Sequence, residues 1–143
     1  MIRSIVTDRK VLSVPCKFVD NPEDVAPIVQ DLKDTFEPLR SRGFGLSANQ
    51  IGYDKAICYI SYGKEEYVLV NPEIVEVREP IKIKGEGCFS FPGIKVETKR
   101  YNYIKIINNG EVMEFQGMLG IIVQHETDHL FGRTLFDRKW KAR

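Results

Sequence analysis

Both histidines of the chain lie within one short stretch, VQHETDHL, which spans residues 123–130. His125 and His129 are four positions apart, so on a helix they project from the same side, one turn above the other. Two imidazoles placed in this way can bind one metal ion, as in the HExxH pattern. Glu126 is rotated by about 100° from His125, so its carboxylate can reach a metal-bound water without ligating the metal. The stretch predicts a metal site with a neighbouring general base; the alternative is two partly buried histidines with ordinary hydrogen bonds.

A catalytic metal site of this kind has three protein ligands and one open position, so a third ligand is needed. One protease pattern, HExxHxxGxxH, supplies a third histidine, but Leu135 occupies that position here. Another pattern uses a later glutamate, whereas the 14 residues after His129 contain none, and Asp137, their only acid, fits neither pattern. Cys88, within EGCFS (residues 86–90), is the upstream candidate because a thiolate binds zinc or ferrous iron well. Taken alone, this cysteine is typical of a buried structural residue.

The helices that must position these residues are predicted by hydrophobic periodicity. Apolar residues recur every three or four positions within residues 20–42, which predicts one N-terminal amphipathic helix, capped by Asn21 and ended by Gly43. The helical pattern returns after Gly117 and stops near Gly132. A late helix is therefore predicted to carry both histidines.

The region between the two helices has the pattern of short strands. Five segments are rich in β-branched and aromatic residues: KAICYI, YVLVNPEIVEV, IKIK, IKVETKR and YIKIIN. The sequence Asn108-Asn109-Gly110 predicts a tight hairpin turn after the last of them. The predicted fold class is α+β, with mostly antiparallel β-sheets packed around a central helix carrying HExxH, plus one N-terminal amphipathic helix.

Composition narrows the class of protein further. A formal net charge of +1 excludes a strong global field for nucleic acid or an anionic membrane. No secretory signal, transit peptide or membrane span is visible, and three cysteines without framework spacing favour a reducing cytoplasm. Residues 1–143 are expected to form one catalytic domain, with a monomer as the default. The locally basic residues 138–143 are expected to form a solvated terminal turn.

Three motifs, taken together, resemble those of the peptide deformylases. The family signatures are GxGLAAxQ, EGCLS and QHExDHL, and this chain has GFGLSANQ (residues 43–50), EGCFS (86–90) and QHETDHL (124–130) in the same order. The two departures are mild: Ser47 stands for an alanine and Phe89 for a leucine.

The resemblance implies a metal-dependent hydrolase that removes the N-formyl group from N-formylmethionine at the N-terminus of newly synthesised peptides. Cys88, His125 and His129 would hold one divalent metal ion, natively Fe²⁺, with Zn²⁺, Ni²⁺ or Co²⁺ able to substitute. A metal-bound water would be the nucleophile, and Glu126 would act first as general base and then as general acid.

The resemblance also implies further site residues. The Gln50 side-chain amide and the Phe89 backbone N–H would donate to the oxyanion of the intermediate. The substrate peptide would pair as an added strand. The implied substrate contacts are Phe44, Gly45, Glu86, Ile121 and Ile122. Glu86 could instead brace the loop that carries Cys88.

Partners and rival functions complete the expectations. N-formylmethionyl nascent chains are the implied substrate and the ribosome an implied partner. Many bacterial members dock there through a C-terminal helix, whereas this sequence stops soon after Phe136. The alternative function is a small HExxH metallo-endopeptidase. A non-enzymatic, metal-stabilised binding module would need Cys16 or Cys58 as a fourth ligand.

Overall fold

The computed structural model describes residues 1–141 and contains three helices and six strands within that range. The helices are α1 (Arg9–Leu12), α2 (Val25–Phe36) and α3 (Gly117–Leu130). The strands are β1 (Gly45–Ser47), β2 (Ile57–Tyr62), β3 (Glu65–Val70), β4 (Glu73–Glu86), β5 (Val96–Asn108) and β6 (Glu111–Gln116). Short 3₁₀ turns lie at Pro22–Asp24, Glu37–Leu39, Ala48–Ile51 and Leu135–Arg138.

The strands form two antiparallel three-stranded sheets, ordered β1-β2-β3 and β4-β5-β6. Helix α3 contacts strands of both sheets and carries both histidines. The predicted α+β class and the central HExxH helix are therefore confirmed. No helix within the described range is long and apolar enough to cross a membrane.

Strand β2 is buried on both faces, which explains why its sequence is almost continuously apolar. Successive side chains of a strand point to opposite faces. Ile57 and Tyr59 pack in the cluster that includes α2, whereas Cys58 and Ile60 pack in the cluster that includes α3. Two helices thus cover the two faces of the first sheet, and α3 also packs against the second sheet.

The predicted strand pattern is confirmed, but its segmentation differs. The run YVLVNPEIVEV is broken at Asn71, whose φ of 51° turns the chain from β3 in one sheet to β4 in the other. IKIK is the end of the long strand β4, and IKVETKR and YIKIIN form the single strand β5. Asn109 and Gly110 adopt positive φ between β5 and β6, as the hairpin signature predicts.

The hairpin turn also joins the two sheets. The Asn108 side chain accepts a hydrogen bond from the Val70 N–H at 2.7 Å, and the Asn109 N–H donates to the Val70 carbonyl at 2.9 Å. These bonds satisfy backbone groups on β3, an edge strand of the first sheet, which would otherwise be open to pairing with another chain.

The N-terminal helix is shorter than the predicted span of residues 20–42. Asn21 does act as a cap, but it caps the 3₁₀ turn Pro22–Asp24, and the α-helix begins only at Val25. Pro38 lies in a second 3₁₀ turn that follows the end of α2, so Gly43 is not the helix end. A proline inside an α-helix removes a hydrogen bond and clashes with the preceding turn, which accounts for the early end. The short helix α1 was not predicted.

Candidate metal centre

Three donor atoms converge at the inner end of a cavity: Cys88 Sγ and one ring nitrogen each from His125 and His129. All three atoms lie within 4.8 Å of one another. The two Nε2 atoms are 3.2 Å apart, and Cys88 Sγ is 3.4 Å from His129 Nε2. For metal–ligand bonds of ordinary length, tetrahedral geometry separates two nitrogens by about 3.3 Å and a nitrogen from a sulfur by about 3.6 Å. The donor set therefore fits one tetrahedral ion.

Secondary structure explains the convergence. His125 and His129 lie one helical turn apart on α3, as the spacing predicts. Cys88 comes two residues after the end of β4, in the turn that leads towards β5. The long β4–β5 hairpin packs against α3, and this packing brings the cysteine to the two imidazoles.

The hydrogen bond of His125 fixes which of its ring nitrogens faces the other two donors. Its Nδ1 lies 2.7 Å from Glu86 Oε2. Burial raises the pKa of Glu86, but hydrogen bonds from Arg100 and His125 outweigh burial and bring this pKa well below its usual range. Glu86 is therefore an ionised acceptor, Nδ1 is the donor, and Nε2 is directed towards the candidate ion. Histidine ligands of metals are oriented by a carboxylate in this way.

The surroundings shift the pKa values of the two imidazoles in opposite directions. Burial lowers the pKa of His125, yet the surrounding Glu126, Cys88 and Glu86 raise it well above its ordinary value. Burial and the neighbouring His125 lower the pKa of His129 well below its ordinary value, so His129 is a neutral donor.

Glu126 is buried beside these donors and is 4% exposed. Burial raises the pKa of its carboxyl to about 7. Its Oε1 atom has no hydrogen-bond partner among residues 1–141, although buried carboxylate oxygens are normally paired. A Cβ atom placed on Gly45 would lie 2.9 Å from both Glu126 Cγ and Oε2. Strand β1 therefore holds its backbone directly against this carboxyl group.

The Gln50 side chain is fixed with its amide nitrogen towards the cysteine loop. Its Oε1 accepts hydrogen bonds from the N–H and hydroxyl of Ser47, forming a capping box on the 3₁₀ turn after β1. Its Nε2 donates to Ser90 Oγ at 3.0 Å and lies 3.5 Å from Cys88 Sγ. The amide group is thus held within a few ångströms of the candidate ion.

The donor atoms open into a cavity of about 530 Å³. The sequence-predicted residues that line it are Phe44, Gly45, Gln50, Glu86, Cys88, Phe89, Ile121, Ile122, His125 and Glu126. His129 lies behind them and is fully buried. Glu86 is 8% exposed, and its carboxylate is engaged by Arg100, Thr98 and His125. This geometry matches the bracing role better than direct substrate contact.

Arg100 is the main residue of the site that was not predicted. It is 2% exposed and donates to Glu86 from Nε and Nη2 at 2.8 and 2.6 Å. Its segment, IKVETKR, is charged and has the pattern of a surface strand. The sequence signal that could have revealed Arg100 is the period of two along a strand, which places Val96, Thr98 and Arg100 on one face of β5. In the structure this face is buried.

Comparison with known proteins agrees with this geometry. The sequence model of the polypeptide deformylase family matches residues 2–143. The chain belongs to the polypeptide deformylase family. It is 39% identical to the peptide deformylase of Aquifex aeolicus over 158 aligned residues, covering 100% of this chain and 92% of that protein. It is 39% identical to peptide deformylase 2 of Clostridium perfringens, covering 90% of this chain and 84% of that protein.

Solved structures of peptide deformylases share the fold. The crystal structure from Thermotoga maritima superposes with a TM-score of 0.86 at 32% identity, covering 99% of each chain. A class I type b enzyme from Acinetobacter baumannii, bound to Met-Ala-Ser, superposes with a TM-score of 0.83 at 26% identity, covering 96% of this chain and 99% of that one.

Family membership settles the activity that the motifs implied. The protein is a hydrolase that removes the N-formyl group from nascent peptides, and the metallo-endopeptidase alternative is not favoured. The peptide deformylase family is metal-dependent, and the chain has a Cys–His–His group suited to a metal ion. The binding-module hypothesis is therefore not needed.

Proposed function

We propose that Cys88, His125 and His129 bind the catalytic metal ion and that Glu126 is the general base and acid of deformylation. The observation that carries this proposal is the convergence of three donor atoms at tetrahedral spacing beside a buried carboxyl group. The metal, when bound, would supply a Lewis acid that lowers the pKa of a water molecule towards neutrality. From the family resemblance we infer that the native ion is Fe²⁺. We expect Zn²⁺, Ni²⁺ or Co²⁺ to be able to replace it, because one thiolate and two imidazoles accept all four ions.

Glu126 is suited to accept a proton from the attacking water and to pass it to the departing amine. A general base works best when its pKa lies near the working pH. Burial raises the pKa of the Glu126 carboxyl group to about 7. Its unpaired Oε1 is an open acceptor. Since Glu126 follows His125 on α3, the carboxyl lies beside the donor atoms without belonging to the group that could ligate the ion.

Gln50 and Phe89 are the proposed donors to the oxyanion that forms on the formyl oxygen. The Gln50 amide is held against the cysteine loop by Ser47 and Ser90, so it needs little reorganisation during the reaction. For Phe89 the donor would be the backbone N–H, so the exchange of leucine for phenylalanine leaves the donor unchanged.

We propose that the cavity beside the donor atoms holds the substrate peptide. Strand β1 is an edge strand of its sheet, and a peptide could pair with it at Phe44 and Gly45. Ile121 and Ile122 supply the apolar wall that a methionine side chain would contact. The bound Met-Ala-Ser of the Acinetobacter baumannii enzyme is a methionine-initiated peptide of the expected kind. We propose that Glu86 lines the peptide cavity and that its main role is to hold His125 in place through the hydrogen bond to Nδ1.

The wider setting is inferred from composition and from the family. We infer that residues 1–143 form one catalytic domain, since the family match covers residues 2–143 and α3 packs against both sheets. We also infer a monomer that works in the cytoplasm on chains emerging from the ribosome.

Replacing the general base tests the proposal. Glu126→Gln and Glu126→Ala should retain one metal per chain, because all three ligands remain, while deformylation of formyl-Met-Ala falls roughly 100- to 10,000-fold. Glu111→Ala, an exposed glutamate on β6, is the matched control. Metal content by elemental analysis after anaerobic purification also identifies the native ion. Parent-like turnover in either Glu126 variant would disprove the proton-transfer role.

A further inference from the structure

Two buried carboxylates and two arginines form a continuous ion network behind His125. Arg100 holds Glu86 through two donors and donates to Asp128 Oδ2 from Nη1 at 2.6 Å. Both carboxylates are nearly inaccessible to solvent. Because Glu86 in turn accepts from His125 Nδ1, the network ends at a candidate metal ligand.

The outer end of the network is Arg138, from the 3₁₀ turn after α3. Its Nε and Nη2 atoms contact Asp128 Oδ2 and Oδ1 at 3.0 and 2.9 Å, a bidentate arrangement of the strongest kind. The prediction of a solvated basic turn is incomplete for Arg138, whose side chain is 39% exposed but is also bound to Asp128. Arg143, also part of that prediction, lies outside the described residues.

The segment that carries Arg138 is fixed to β5, the strand that carries Arg100. Lys139 forms a bridge with Thr98, and the Trp140 N–H donates to the Glu97 carbonyl at 2.8 Å. The Arg138 side chain is therefore presented to Asp128 by backbone bonds on its C-terminal side. Arg138 itself does not line the substrate cavity.

The charges of the network balance, and this balance depends on Arg138. Glu86 and Asp128 carry two negative charges, and Arg100 and Arg138 carry two positive charges. Without Arg138, Arg100 would be the only arginine bound to Asp128 while it also binds Glu86, and a buried charge that is not fully compensated is costly. The Arg100 guanidinium would then be drawn from Glu86 towards Asp128, because both carboxylates are bound by this one guanidinium group through its different N–H groups.

We propose that Arg138 is a positioning residue for the metal centre, acting through Asp128, Arg100 and Glu86 to hold the His125 ring with Nε2 towards the ion. This inference rests on the proposed role of His125 as a metal ligand. Each link is a direct hydrogen bond of 2.6–3.0 Å, so the network has no gap between Arg138 and the imidazole. A residue that follows the HExxH helix and lies outside the motif thereby contributes to metal affinity without being one of the proposed ligands.

The test uses three variants that differ in what they remove. Arg138→Ala removes the positive charge and both hydrogen bonds to Asp128. Arg138→Lys keeps the charge and loses the bidentate geometry. Arg133→Ala is the matched control, because Arg133 is exposed, lies five residues away and has no ion pair within residues 1–141. The zinc dissociation constant is measured for each by competition with a chromogenic chelator. Thermal stability is measured on the metal-free proteins.

Loss of a direct partner of a histidine ligand weakens metal binding by about 10- to 100-fold. Arg138 acts further from the metal, so Arg138→Ala should raise the zinc dissociation constant by roughly 3- to 10-fold. Arg138→Lys should fall between Arg138→Ala and the parent, and Arg133→Ala should match the parent. A purely structural arginine would lower thermal stability while leaving the zinc dissociation constant unchanged, and that result overturns the proposal.

A second measurement separates this inference from the proposed function. The chain has two histidines, so the ring N–H signals in the proton NMR spectrum of the metal-free protein are few and assignable. The His125 Nδ1 proton, bonded to Glu86, should exchange slowly with water in the parent and faster in Arg138→Ala. An unchanged exchange rate overturns the positioning role. Failure of the parent to bind zinc, with the exchange difference present, would instead contradict the proposed metal site.

Discussion

Gly45 lies so close to Glu126 that the smallest side chain at this position should disturb the proposed general base. A Cβ atom on Gly45 would lie 2.9 Å from Glu126 Cγ and Oε2 and 3.1 Å from Cδ. Ordinary contacts between such atoms are about 3.5 Å or longer, so the Gly45→Ala substitution requires Glu126 to move by roughly half an ångström. Any such movement changes the position of a buried carboxyl group that lines the cavity.

The expected effect is on turnover more than on the fold. Overpacking a well-filled site costs about 1–3 kcal/mol in the free energy of unfolding. A displacement of about 1 Å can cost 100-fold in rate, so a shift of half that size should lower kcat for formyl-Met-Ala by roughly 10-fold or more. The metal content should stay at the parent level, because the three atoms nearest to the new methyl group all belong to Glu126 and not to a proposed ligand.

A matched control and a double variant make the reasoning refutable. Gly120→Ala places the same methyl group on α3 at ordinary contact distances, 3.4–3.5 Å from Phe115. It should leave kcat unchanged. In the Glu126→Ala background, Gly45→Ala should no longer reduce stability, because the atoms that it would strike are gone. Parent-like kcat in Gly45→Ala, or an equal stability loss in both backgrounds, would refute the predicted contact with Glu126.

Two further predictions concern stability. Gly132→Ala should lower the free energy of unfolding by roughly 2–4 kcal/mol in urea titrations, because φ is 75° and a Cβ atom would lie 2.5 Å from the Ser13 carbonyl oxygen. Gly52→Ala, at φ 93° with open space around it, should lose only the smaller backbone part, and equal losses would contradict the predicted clash. The pKa of Asp31 is held well below its usual range, first by the hydrogen bond from Tyr53 and then by neighbouring positive charges. The ionised form of Asp31 therefore stabilises the fold above a pH of about 4. At pH 7 the Asp31→Asn variant should have a lower melting temperature than the parent, and this difference should shrink as the pH falls below 4. A difference in melting temperature that stays constant from pH 7 to pH 3 would rule this out.

Local patterns were sufficient for the parts of the site that neighbouring residues build. The spacing of His125 and His129 predicts their common face on α3 because helical geometry repeats along the sequence. The Asn-Asn-Gly turn was predictable because its signal, the preference of Asn and Gly for positive φ, is also local to the segment. Cys88 could be predicted only from its motif and from the need for a third ligand. Its contact with α3 arises from packing of the β4–β5 hairpin, which has no local sequence signature.

Arg100 and Arg138 show what the sequence does not reveal. Each lies in a basic segment, and in such segments solvent exposure is the usual outcome for an arginine. Arg100 is buried, and Arg138 is held against a buried carboxylate, because Glu86 and Asp128 from two other elements balance their charge. Charge balance among four distant residues is a property of the assembled fold, and no periodicity within one segment encodes it.

The packing of Phe89 shows how two motifs depend on each other. A Cβ atom on Gly43 would lie 2.5 Å from Cζ of the Phe89 ring, so this ring occupies space that only a glycine leaves free. The ring also meets Phe36 of α2 edge to face, with centroids 6.5 Å apart. The large side chain is therefore accommodated between the first motif and the N-terminal helix. Phenylalanine at this position adds contacts with α2 while the residue's main chain stays in the loop beside Cys88. The first and second motifs are thus coupled by packing as well as by the hydrogen bond from Gln50 to Ser90.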